Sequence, residues 1–184
     1  MKQLIVILLA AVMLLGVTAC GCARETDPTV NTTMAKAEPL RGTMEEAVNK
    51  LMQANPAEFM GGMMPLDLQD TSEEGLWALE SYTGLDSAKD ITDAAVYEPS
   101  TGSQAFSLVL VRVADGANTK DVAQRMKDNI NPRKWICATA DQVMAAGYRD
   151  VVMFVMVDSA LGKTAQSYVD AFANLCGGRL DFTI

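Results

Sequence analysis

Asp67, Asp70, Glu73 and Glu74 crowd one short stretch and form the densest supply of carboxylates in the chain. Two carboxyl groups held about 5 to 9.5 Å apart across a cleft could hydrolyse a glycoside. Six or more oxygens gathered by one loop could hold Ca²⁺, but the stretch lacks the Gly and the closing Glu of an EF-hand, and no metal ligands are assigned. The competing reading is structural. Thr71-x-x-Glu74 is a capping box that would open a short helix burying Leu76, Leu79 and Trp77, with the acids favouring its N-terminal dipole. The chain contains no histidine, which removes the Ser–His and Cys–His nucleophile pairs, and no catalytic set is assigned.

Other stretches offer chemistry and fall short of it. Val157 to Thr164 ends in Gly-Lys-Thr like a P-loop, yet Val157 stands where the first glycine should, so Gly162 and Thr164 read as helix-start residues. Asp158-Ser159-Ala160 resembles the acidic triplet of aspartic proteases without the second carboxylate that such chemistry shares a proton with, so Asp158 reads as a turn or cap. Methionines 60, 63 and 64 are soft ligands for Cu(I), but no His or Cys stands beside them, and Met commonly fills gaps in cores. Arg125, Lys127, Arg133 and Lys134 form the one basic cluster, suited to an anionic ligand or to pairing with the acidic first half of the chain.

The cysteines divide by place. Lys2 followed by the apolar run Leu4 to Val17 has the layout of a secretory signal, and the run is shorter than the roughly 20 residues of a spanning helix. Val17-Thr18-Ala19-Cys20 resembles the lipobox of bacterial lipoproteins, with Val where Leu is usual. The resemblance implies a signal peptide over 1–19, cleavage before Cys20, and a diacylglyceryl group on its thiol. Two or three acyl chains make such attachment durable. Cys137 and Cys176 show no metal-like spacing. They could join in a disulfide worth on the order of 3 to 4 kcal/mol if their Cα atoms lie within about 7 Å. They could equally be two separate buried thiols.

Elements must position these groups. From Gly21 to Gly42 the composition turns polar and aperiodic, which makes residues 20–42 a lipidated flexible tether of about 25 Å average span. Residues 43–184 suffice for one domain. Thr43-x-x-Glu46 caps a helix running to about Ala54, and Phe59 to Pro65 reads as a glycine-broken connection. Strands are expected over Asp93 to Glu98, Ala105 to Val113, Gln142 to Ala146 and Val151 to Val157, with helices capped by Asn118 or Thr119 and by Thr164. This is ββα twice, an α+β fold with an antiparallel four-stranded sheet carrying those two helices on one face. Val151 to Val157 is apolar at every position, so the N-terminal helices are expected to cover the other face.

The formal net charge of −8 disfavours nucleic acid and anionic headgroups as partners. Pro132-Arg133-Lys134-Trp135-Ile136-Cys137, the strand Val151 to Val157 and the lipobox together resemble a family of small Gram-positive bacterial lipoproteins that carry a domain of unknown function, number four-three-five-eight. The resemblance covers about residues 70 to 177 and implies an extracytoplasmic protein held at the cell membrane, without an activity or site residues to carry over. The expected function is a noncatalytic binding or assembly module, without a cofactor, that meets an envelope protein or a small ligand. The alternative is a histidine-free hydrolase working through the four acids.

Overall fold

The computed structural model describes residues 38–184; the expected signal peptide, Cys20 and the expected tether up to residue 37 lie outside them. Helix α1 (Met44–Ala54) begins where Thr43 Oγ1 accepts from Glu46 N, and the Asp93 carboxylate accepts from Met44 N at 2.8 Å. A second helix, α2 (Glu73–Thr83), is capped by Ser72 rather than Thr71, because Asp70 already accepts from Ser72 N and turns that hydroxyl onto Gly75 N. Gly84 closes α2 in the left-handed region at φ 72°. Helices α3 (Thr119–Asn129) and α4 (Ala165–Leu175) are capped by Asn118 and Thr164, as the sequence predicts.

The sheet corrects the expected count. Strands β1 (Gly61–Pro65), β2 (Ile91–Pro99), β3 (Phe106–Val113), β4 (Gln142–Tyr148), β5 (Val151–Val157) and β6 (Phe182–Thr183) form one antiparallel sheet in the order β1-β2-β3-β5-β4-β6. Six strands replace four. The central four are the predicted ones, and the two additions are short edges whose residues carry no strand pattern. Gly61, Gly62 and Pro65 are poor strand formers, and they are aligned by backbone pairing to β2 while Met63 packs on the core. Strand β6 is placed by a close approach, since a Cβ on Gly147 would run into the ring of Phe182.

The helices are also distributed differently. Strands β3 and β4 run in one direction with β5 between them, and β5 and β6 run in the opposite direction with β4 between them. Both crossovers step toward the β6 edge from oppositely directed strands. The right-handed preference for such crossovers then puts α3 and α4 on opposite faces. Helices α1 and α4 pack with Leu108, Leu110, Met153 and Val155, whereas α2 and α3 pack with Val109, Val111, Phe154 and Met156. Each face thus pairs one N-terminal helix with one from a ββα unit, which explains why β5 is buried along its whole length.

Residues 38–42, expected to belong to the tether, are fastened to the domain. Tyr148 Oη donates to the Glu38 carbonyl at 2.6 Å, and Arg112 Nη2 donates to the carbonyls of Leu40 and Gly42, each at 2.9 Å. Arg112 also pairs with Asp150 in the β4–β5 turn. The chain therefore enters the domain at the end of the sheet that holds this turn.

Candidate functional site

The opposite end of the sheet carries an open cleft of about 690 Å³. Three segments build it: the second half of α2, the end of β2 with the turn that follows, and the loop 131–137 after α3. The loop is shaped by local bonds, with Arg133 N donating to Asn131 Oδ1 at 3.0 Å and Ile136 N donating to the Gly102 carbonyl at 2.7 Å. Cys137 leaves the loop with a positive φ of 58°.

Lys134 is the centre of the cleft. Its ammonium lies 2.6 Å from Glu98 Oε1, donates to the Ser81 carbonyl at 3.0 Å, and sits 4.6 Å above the Tyr82 ring and 5.3 Å from that of Trp135. The two paired side chains are only 11% and 16% exposed, so the pair is shielded from solvent screening. Burial lowers the Lys134 pKa from its ordinary value, and the neighbouring Glu98 charge and hydrogen bond oppose that shift. Burial also raises the Tyr82 phenol, with the charge of Glu98 adding to it. Trp135 Nε1 is buried without a hydrogen-bond partner, while Trp77 and Ile136 stand 63% and 72% exposed at the rim. The arrangement is a neutralised ion pair among aromatic faces.

Of the acidic residues singled out from the sequence, Asp67, Asp70 and Glu74 line a shallow groove of about 400 Å³ against α2, and Glu73 lies outside its lining. Asp67, Asp70, Glu73 and Glu74 are all exposed; Asp67 accepts from Gln69 N and Asp70 from Ser72 N. The Ser72 bonds also hold Asp70 below the usual carboxylate range. Among the described residues no group of three or more His, Cys, Asp or Glu is placed to hold a metal ion. Leu79 is buried as predicted, but Leu76 and Trp77 are not, a correction that follows from α2 resting on its layer through a narrow stripe. Met60 and Met64 are exposed and Met63 packs on the core. Asp158 caps a single 3-10 turn, accepting from Ala160 N. The basic cluster is engaged with the acidic first half, through Arg125 to Asp90 and Lys134 to Glu98.

Cys137 and Cys176 are not bonded to each other: Cys137 is exposed and Cys176 is buried as the C-cap of α4. Burial, with the charge of Asp181 as a smaller cause, pushes the Cys176 thiol up to about 12. Alkylation of the native protein is therefore expected to modify Cys137 and spare Cys176, which should react only after unfolding. Mass spectrometry checks this, and protection of both thiols would instead indicate a bridge.

No family model, curated protein or solved structure matches this chain. Among the described residues no helix is long and apolar enough to cross a membrane. The cleft therefore has to be read from its own residues. Sequence reasoning singled out Lys134 and the Trp-Ile-Cys run but missed their partners Glu98, Tyr82 and Trp77. The available signal was that both tryptophans of the chain flank stretches already marked, one by acids and one by bases.

Proposed function

We propose that the protein is an extracytoplasmic lipoprotein, held at the cell membrane by lipid on Cys20, that works as a noncatalytic binding module through the cleft around Lys134. The anchor rests on the signal-like run and the lipobox resemblance at Val17 to Cys20. One observation supports the binding role above the others. Of the five large apolar side chains left exposed among the described residues, Trp77 and Ile136 line the cleft, and Met64 lines the adjoining groove that shares Trp77 and Tyr82 with it. Exposed apolar side chains gathered on one side mark an interaction surface. The same reading makes the protein a member of the lipoprotein family that the Pro132 to Cys137 run resembles, with an envelope component as its partner. The hydrolase alternative has less support, because its four carboxylates are all exposed to solvent and the three that share a groove, Asp67, Asp70 and Glu74, are not enclosed from water.

Fractionation and crosslinking in the native envelope test both halves. Cys20→Ala should move the protein from the membrane to the soluble fraction, and the wild type should capture an envelope component that Trp77→Ala does not. Membrane retention of Cys20→Ala would overturn the anchor. Capture indifferent to Trp77 would overturn the cleft as the binding surface.

A further inference from the structure

Charge, surface and an unpaired donor together narrow what the cleft can hold. Its four charged lining side chains cancel, Glu80 and Glu98 against Arg133 and Lys134. The inner two already neutralise each other at 2.6 Å, and the outer two, Glu80 and Arg133, are exposed to water. An anion or a cation seated here could meet only the exposed Arg133 or Glu80, where solvent screening leaves little net attraction, because the inner pair already neutralises itself and taking one of its members would cost several kcal/mol. A wholly apolar ligand fits no better. It would strip water from Asn129 and Asn131 without returning hydrogen bonds. The remaining chemistry is a neutral molecule that is apolar on one face and rich in hydroxyls around its edge.

The walls match that description. Trp77 and Tyr82 present rings 6.4 Å apart and inclined at 69°, so a flat C–H face can lie on one while its edge meets the other. The amides of Asn129 and Asn131 offer donors and acceptors at the mouth. Trp135 Nε1 is a buried donor with no protein acceptor, and a buried unpaired donor in a lining residue is the kind of group that a ligand or a water satisfies. The volume of about 690 Å³ lies in the usual range of small-molecule sites.

We propose that the cleft binds a neutral oligosaccharide, with a sugar ring stacked on Trp77 and hydroxyls meeting Asn129, Asn131 and Trp135 Nε1. This deepens the binding reading above and rests on it. Lys134 serves as a positioning residue: tied to Glu98 and Ser81, it keeps Tyr82 and Trp135 in their places and presents no free charge to the ligand.

The protein carries only two tryptophans and both line the cleft, so intrinsic fluorescence reports on this site alone. The full-length protein in detergent would be titrated with tetramers of glucose and of N-acetylglucosamine to about 10 mM, a range that detects millimolar affinity. Adenosine and a tetralysine peptide serve as comparison probes. The expected result is a saturable shift with at least one saccharide, weakened about tenfold or more by Trp77→Ala when followed calorimetrically. Trp77 is largely exposed, so its removal should leave the unfolding midpoint unchanged, and Trp77→Phe should restore much of the affinity. Absence of a shift with every saccharide, binding that survives Trp77→Ala, or saturation by adenosine or tetralysine alone would each overturn the assignment. Loss of the saccharide response together with Trp77-dependent envelope capture would sink this inference and leave the binding module standing.

Discussion

Phe106→Ala is expected to destabilise the domain by about 3–5 kcal/mol, the largest effect of any single truncation considered. Phe106 is 1% exposed and opens β3, whose neighbours on both sides, β2 and β5, complete the centre of the sheet. Its ring meets Phe59 at 5.2 Å, Tyr97 at 6.2 Å and Tyr168 at 5.1 Å, three residues delivered by the chain after α1, by β2 and by α4. A hole there cannot close by moving one element, because its walls belong to separate ones fixed by their own hydrogen bonds. The cavity cost therefore adds to the lost transfer energy. Urea unfolding should show the midpoint falling with an unchanged slope, and Phe106→Leu should recover most of the loss. A deficit below about 1 kcal/mol for the alanine variant would mean that this aromatic cluster does not hold the layer together.

Glu98→Gln is expected to cost about 2–4 kcal/mol by leaving the Lys134 ammonium without its counter-charge in a shielded site. Lys134→Met should cost a similar amount. The double variant should lose less than the two together, with a coupling of about 2 kcal/mol, because two neutral groups of similar shape need no pairing. The pH dependence has a definite sign. The Lys134 pKa is lowered in the folded protein, so between that lowered value and the ordinary 10.5 the unfolded chain binds the extra proton, and the contribution of this group to stability rises with pH. Glu98 opposes the lowering, so Glu98→Gln widens the window downward. The variant should accordingly regain stability between neutral pH and about pH 10 to a greater extent than the wild type. Denaturation curves at the two pH values check this, and an equal response in both proteins would remove Lys134 from the explanation.

The parts of the fold legible in the sequence were those in which local chemistry and burial agree. Thr43, Asn118 and Thr164 cap helices because their side-chain oxygens meet backbone donors two or three residues on, an arrangement that spacing alone displays. The unbroken apolar run of β5 announced a strand covered on both sides. Strand β1 was illegible because its glycines and proline argue against a strand, and its pairing with β2 is a long-range backbone event. The placement of α3 and α4 depended on strand order, which no local pattern encodes. Glu98 belongs to the same class: it reads as the end of a strand until the loop 131–137 folds over and brings Lys134 to it. Trp77 misled in the opposite direction, since a large aromatic on a capped helix suggests core, yet it faces water.

The bonds from Tyr148 and Arg112 to residues 38–42 also set a polarity for the molecule. They lie at the foot of β4 and β5, whereas Glu98 and Gly102 lie at the far end of β2, across the length of a nine-residue strand that spans about 30 Å. A pull arriving along the chain at Glu38 would be taken up at the foot and carried into the sheet, leaving the mouth unloaded. Pro39, Leu40 and Arg41 form a collar there, and loosening it by Tyr148→Phe would free the entry of the chain without changing what the mouth holds.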